Sequence, residues 1–448
     1  MATSCLSLST ALTREQCPAD AGAVRSYAGR LAHGGRRIGS GADYRLGMSE
    51  AERSPAIEGR IGPHSTPLPA RVFLDSASGQ PLHPAALAAL TTAYADGWAD
   101  PRGLPYQNRR SAILLDAARE SIAVILGVRA DEVSFASSGT AAVHLGVAGF
   151  VPGTRSTVVT SAVEHSSVLA ASRLYAANHP NSTPTLVAVD SLGRVALDEF
   201  DLAVTGRGVV GACLQSANHE VGTVQPTDAA AELCARAGVP LLVDASASLG
   251  SLATPQQWSI LAASAHKWGG PAGVGVLAVR RGSKWRASTP DDERESGRVP
   301  GFPNVPAIVA AAASLEAVVA ERAATRGRLS ALVDVIRRRV PELVPDVVVL
   351  GDPVDRLPHI VTFSCLYVDG EALLLELDRL GVAVSSGSAC TASAQTPSHV
   401  LAAMGALTHG NVRVSLPSTC TEGDVDRFLA VLPGAVATVR DHLGARAW

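Results

Sequence analysis

Lys267 stands in Ser264-Ala265-His266-Lys267-Trp268-Gly269-Gly270-Pro271, at the end of an apolar run and beside a glycine-rich turn. An amine in that place is costly unless it is used. A lysine that condenses with a carbonyl needs an electrophile beside it, a depressed pKa and close backbone approach, and this context can supply all three. Taken alone, the segment fits a lysine snorkelling out of a strand end equally well. Upstream, Leu241-Leu242-Val243-Asp244 closes an apolar strand with a carboxylate. Such a group can charge-pair with a protonated pyridine nitrogen and turn the ring into an electron sink; read singly, it is more often a helix cap. Ser137-Ser138-Gly139-Thr140 follows the run Glu132–Ala136 and opens a helix, so its amides and hydroxyls can hold a phosphate, although many helices begin with Ser or Thr. Finally, Cys390 lies in Ser385-Ser386-Gly387-Ser388-Ala389-Cys390-Thr391, where small residues leave a thiol little to pack against. By itself that is an exposed thiol with no assigned task. Cys213, Cys234 and Cys365 sit in apolar segments and read as core.

The elements that must position these residues follow a βαβ rhythm from Val72 onward. A helix is predicted over Ala112–Leu126. Strands are predicted over Glu132–Ala136, Ser156–Thr160, Thr185–Val189, Val209–Cys213, Pro240–Val243, Ser259–Ala262 and Gly275–Val279. Their near-continuous apolar character suits a mostly parallel seven-stranded sheet covered on both faces, an α/β fold. After Ala307 an Ala-rich, Arg-studded helix runs to about Arg339. Shorter strands at Val347–Leu350, His359–Phe363, Val382–Ser385 and Asn411–Ser415 then alternate with helices, as in a smaller α+β domain. The expected organisation is an extension without regular structure over 1–69, a large domain over 70–320, of which 70–82 can pack on the small domain, and a small C-terminal domain over 321–448 carrying the Cys390 loop.

Composition narrows the function. Lys and Arg total 38 against 41 Asp and Glu, a net charge of -3, so no field draws nucleic acid or an anionic membrane. The seven cysteines are scattered without CxxC pairs, which fits a reducing cytoplasm and no metal site. No apolar run approaches the ~18–20 residues of a membrane span. A small-molecule substrate or a protein partner fits better.

Together, these motifs resemble the class V aminotransferases among the fold-type I pyridoxal-phosphate enzymes, and within them the NifS/IscS-type cysteine desulfurases. The resemblance covers about residues 72–435 and includes Leu74-Asp75-Ser76-Ala77-Ser78, Glu164-His165 and Val412-Arg413-Val414-Ser415-Leu416. It implies pyridoxal 5'-phosphate on Lys267, His165 stacked on its ring and Asp244 at its nitrogen. Gly139, Thr140, Ala141, Ser264 and His266 would lie on the phosphate side, and His219 near the ring oxygen. Arg413 and Asn218 would meet the substrate carboxylate. Cys390 would take sulfur from L-cysteine as a persulfide, for a protein acceptor in iron-sulfur assembly, tRNA thiolation or another thio-cofactor pathway. A homodimer is implied, with the segment around Phe302 facing the other subunit.

Four positions depart from the family pattern. Ala141 and Phe302 stand for threonines, His219 for an asparagine and Ala247 for a glutamine. An imidazole at 219 can still donate one hydrogen bond, and it is expected to titrate near neutral pH. Other reactions of the same scaffold, selenocysteine lysis, C–S lysis or amino transfer, stay open at this point, as does a weakly active paralogue acting as a sulfur-transfer partner.

Overall fold

The computed structural model describes residues 71–154, 156–288, 292–387 and 397–442. The extension expected over 1–69 and the Cys390 segment lie outside the described residues. The strands are β1 (Val72–Phe73), β2 (Val133–Ala136), β3 (Thr157–Ser161), β4 (Thr185–Val187), β5 (Val209–Gln215), β6 (Leu241–Asp244), β7 (Ile260–Ser264), β8 (Gly275–Val279), β9 (Val347–Leu350), β10 (Ile360–Cys365), β11 (Val382–Ala383) and β12 (Asn411–Ser415).

Seven of them form one sheet in the order β2-β8-β7-β6-β5-β3-β4. Only β8 runs against its neighbours, pairing antiparallel with β2 and β7. β5, β6, β7 and β8 are buried along most of their length, which is why they read as unbroken apolar runs rather than alternating ones. The seven predicted strands are all present, with no end shifted by more than two residues. Glu132 was expected to open β2. It instead closes a short 3₁₀ turn, where its carboxylate accepts from the amides of Arg129 at 2.8 Å and Arg281 at 2.7 Å.

The helix Gly139–Ala148 lies directly on this sheet, and two glycines permit the approach. A Cβ at Gly146 would come within 2.4 Å of Leu242, and one at Gly139 within 2.6 Å of Ser264. The helix Tyr106–Leu126 begins six residues before the predicted Ala112 and ends on Gly127 at φ +67°, a left-handed cap that suits glycine.

A second hydrophobic core is built around the antiparallel sheet β12-β10-β9 and the parallel pair β1-β11. The helices Gly370–Arg379 and Glu422–His442 and the distal half of Val305–Leu343 pack on it. The long helix Val305–Leu343 is continuous across residue 320, where the domain boundary was expected. Cys213, Cys234 and Cys365 are buried, as read from their surroundings. Among the described residues no helix is long and apolar enough to cross a membrane.

Candidate active site

The C-terminal ends of β2, β3, β5, β6 and β7 converge on one cavity of about 620 Å³, the place where open α/β sheets offer ligand sites. β7 delivers Ser264, and the single 3₁₀ turn Ala265–Lys267 carries His266 and Lys267 onto the cavity wall. The turn is closed by Gly269 at φ +83°, packed where a Cβ would lie 3.2 Å from the carbonyl oxygen of Pro81. Lys267 Nζ donates to the carbonyls of Ala77 and of Ser78, the latter at 3.3 Å. Ser264 Oγ and His266 Nδ1 are 2.9 Å apart, and burial pushes His266 down to about 4. His266 is therefore a neutral imidazole at physiological pH.

Asp244 ends β6 and is buried at the wall, with one carboxylate oxygen accepting from Ser246 N at 2.9 Å. No helix follows it, so the capping alternative does not apply. His165 caps the helix Ser166–Asn178: its Nδ1 accepts from Ser167 N at 3.1 Å, with Ser167 Oγ at 2.8 Å. Burial depresses its pKa, and the amide bond at Nδ1 places the proton of the neutral ring on Nε2.

The ring of His219 meets that of His165 edge to face, with centroids 4.9 Å apart. Its Nε2 is 3.7 Å from a carboxylate oxygen of Glu220, and its Nδ1 is buried without a hydrogen-bond partner. Burial, then the neighbouring His165, Arg413 and Lys267, hold its pKa well below the ordinary histidine range. The expectation that His219 titrates near neutral pH is thus overturned by desolvation.

Arg413, on β12, reaches the same cavity and is 2% exposed. Its Nη1 donates to His219 O at 3.0 Å; its Nη2 donates to Asp75 Oδ1 at 2.9 Å and to Ser78 Oγ at 2.8 Å; its Nε is buried without a partner.

Two of the expected residues are placed elsewhere. Asn218 is buried in a turn: its amide oxygen accepts from Glu220 N at 2.8 Å and Val221 N at 2.9 Å, and its NH₂ donates to Val163 O at 3.0 Å. It does not line the cavity. The amide of Ala141 donates to Ser138 Oγ at 3.0 Å, closing the helix cap, while Gly139 and Thr140 reach the wall. Ala247 lines the cavity and Phe302 is 57% exposed.

The structure adds residues the sequence reading did not assign: Gln215, His359, and Asp75 and Ser78 as partners of Arg413. Glu164 is also new. Fully buried, it accepts from Gln215 N at 2.8 Å through one oxygen, while the other has no partner, and burial pushes it up to about 8. One signal for the site was available in the sequence. The chain has only two lysines, Lys267 and Lys284. Arginine cannot lose its proton to become a nucleophile, so a lysine kept among so many arginines marks a place where an amine is needed.

The donor set fits pyridoxal phosphate. There is an amine at the wall, a buried carboxylate, an aromatic ring beside them, an orphaned imidazole nitrogen, and a hydroxyl-lined helix start closed onto Ser264. A family model, Aminotransferase class-V, matches residues 72–428. The chain belongs to this family. Among class-V relatives, a protein from Cereibacter sphaeroides named cysteine desulfurase is 34% identical over 379 residues, covering 83% of this chain and 97% of the relative. Cysteine desulfurase NifS of Azotobacter vinelandii is 31% identical over 381 residues, covering 83% and 94%. A solved structure described as a NifS-like protein superposes with a TM-score of 0.75 at 26% identity, covering 82% of this chain and all of the other.

Proposed function

We propose that this chain is a pyridoxal-phosphate-dependent cysteine desulfurase, converting L-cysteine to L-alanine and passing the sulfur through an enzyme persulfide. The observation that supports this reading most strongly is the meeting of Lys267, Asp244, His165 and Arg413 at one cavity wall. Lys267 would hold the cofactor and Asp244 its ring nitrogen. Gly139, Thr140, Ser264 and His266 would lie on the phosphate side, and His219 would lie near the ring oxygen, its Nδ1 being without a hydrogen-bond partner among the described residues. When bound, the cofactor withdraws electrons from the substrate and makes its Cα–H acidic.

The chain's own residues do the rest. Arg413 offers the substrate carboxylate a guanidinium oriented by Asp75 and Ser78. The Lys267 amine, once released, accepts and returns the proton at the substrate carbon. His165 in its Nε2–H form can donate at the cavity without carrying charge. The Cys390 thiolate attacks the substrate sulfur: an S–S bond forms, the C–S bond breaks with its electron pair left on carbon, and protonation there yields alanine. The persulfide sulfur then passes to a thiol of a protein acceptor.

A homodimer fits the surface. Tyr94, Trp98, Leu104, Tyr106 and Phe302 are all exposed, and Arg102 ties this region to the 292–293 segment by donating to Asp292 O at 2.7 Å. Exposed aromatic and apolar side chains of this kind suit burial against a second copy of the chain. Light scattering should give a dimer of the 46.0 kDa chain; a monomer with cofactor fully bound contradicts it.

Borohydride reduction followed by peptide mapping tests the cofactor attachment. With two lysines the result is binary: label on Lys267 supports the assignment, and label on Lys284, whose Nζ donates to Gly238 O at 2.8 Å, overturns it.

A further inference from the structure

Lys267 and His359 are, among the described residues, the two that line both the large cavity and a smaller one of about 60 Å³ behind it. The long helix Val305–Leu343 contributes Arg322 and Thr325 to this rear cavity, and His83 adds a third polar group. Of the residues lining it, Pro81, Arg326 and Ser418 are exposed, so its outer side opens to solvent. It is polar and has room for a few water molecules. His83 Nδ1 accepts from Ala85 N at 3.1 Å, and its Nε2 lies 3.6 Å from a carboxylate oxygen of the exposed Glu321.

The wall between the two cavities is firmly held. Trp268, next to Lys267, is buried, and its Nε1 donates to Ala311 O at 3.1 Å. Gly250, at φ +92°, packs against it: a Cβ there would lie 3.3 Å from Trp268 Cβ and 3.0 Å from Val318 Cγ1. His359 is 7% exposed, and its carbonyl accepts from Leu416 N at 2.9 Å, just before β10 begins. Burial, then Arg413 and Lys267, push its imidazole down to about 4, so it brings no charge beside the lysine. Between walls held in this way, the space of a deleted ring closes only in part, and its loss would join the two cavities.

We propose that His359 is a positioning residue: its ring is the partition that keeps Lys267 turned toward the large cavity and keeps the water of the rear cavity away from it. Lys267 Nζ donates to the carbonyls of Ala77 and Ser78, which belong to the large cavity. An ammonium group is strongly hydrated, and the solvent-open rear cavity is where it would otherwise turn. The proposal rests on the reading that Lys267 carries the cofactor. Water that reaches the bond between the lysine and the cofactor aldehyde adds across it, breaks the C=N bond and leaves a free amine and a free aldehyde; excluding water prevents that loss. Such a partition needs the bulk of the ring and not its nitrogens.

The test follows release of pyridoxal phosphate from the loaded protein, by dilution and timed ultrafiltration. Wild type, His359→Ala, His359→Asn, His359→Phe and Val318→Ala are compared. His359→Ala should speed release about tenfold or more, a fall of about 1.4 kcal/mol in the barrier. His359→Phe fills the space without a ring nitrogen, the rear cavity has room for the larger ring, and release should stay within about threefold of wild type. His359→Asn keeps a donor and an acceptor in a smaller side chain, so it should release faster than the phenylalanine variant. That comparison carries the test if His359→Ala does not fold. Val318→Ala enlarges the rear cavity without touching the partition and should also stay within about threefold of wild type.

Release from His359→Ala at the wild-type rate overturns the proposal. So does an asparagine variant no faster than the phenylalanine one, or a phenylalanine variant as fast as the alanine one, since either assigns the role to the ring nitrogens. A Val318→Ala protein that releases as fast as His359→Ala overturns it too, by making the effect one of general loosening. Wild type in which borohydride fixes the cofactor elsewhere than on Lys267 would instead overturn the cofactor assignment itself.

Discussion

Arg413 Nη2 and Asp75 Oδ1 are 2.9 Å apart at the cavity wall, joining β12 to the segment that follows β1. The pair leaves the guanidinium charged, oriented and partly engaged before any substrate arrives, with its Nε still unpartnered. Its role in substrate binding can therefore be separated from simple charge.

Arg413→Ala should raise the KM for cysteine by about 10- to 150-fold, since losing a charge-assisted hydrogen bond costs about 1.5–3 kcal/mol. Arg413→Lys should recover little of it, because a lysine keeps the charge and loses the planar fork that Asp75 and Ser78 orient. Steady-state kinetics decide the matter. A lysine variant with wild-type KM would reduce Arg413 to a point charge.

Glu164 provides a stability test. Its folded pKa of about 8 lies above that of an ordinary carboxyl, so the folded state keeps a proton that the unfolded chain releases. Its contribution is complete below the unfolded pKa and is lost as pH rises through about 8. Glu164→Gln, neutral at every pH, escapes that loss. Thermal unfolding from pH 5 to 8.5 should show the glutamine variant gaining on wild type with rising pH, by at most about 1.4 kcal/mol per unit. A pH-independent gap would mean that Glu164 is ionised in the fold.

His219→Asn should leave the pH profile of turnover between pH 6 and 8 unchanged, because burial keeps the imidazole neutral throughout that range. The rate should change by less than about tenfold, since the amide also carries a donor. Loss of a limb near pH 6.5 in the variant would show that His219 does ionise during catalysis.

Much of this site could be read from the chain, and the reason is geometric. Asp244 and Lys267 each follow an apolar strand of a parallel sheet, and the ends of such strands face one crevice, so local runs predicted a shared location. What escaped was set by contacts between distant segments. The Asp75–Arg413 pair spans 338 residues, and nothing in either neighbourhood announces it. The resemblance placed Asn218 at the substrate carboxylate, yet its amide is consumed by the turn that it shapes. His219 was given the pKa of an exposed imidazole, whereas it is buried and lies beside charges as distant in sequence as Arg413 on β12. The β2 boundary moved because the Glu132 carboxylate accepts from one nearby amide, Arg129 N, and one distant amide, Arg281 N.

Single turnover of the cofactor-loaded protein with L-cysteine, in wild type and Cys390→Ser, tests the central claim most directly. Wild type should release alanine and carry an added sulfur, about 32 mass units, on Cys390, by attack of the thiolate on the substrate sulfur. Cys390→Ser should still bind the cofactor and still change its absorbance when cysteine is added, since neither step uses the thiol, and it should form neither alanine nor sulfide. A serine variant that makes alanine and sulfide at the wild-type rate would contradict the desulfurase mechanism and leave a lyase or transaminase in its place.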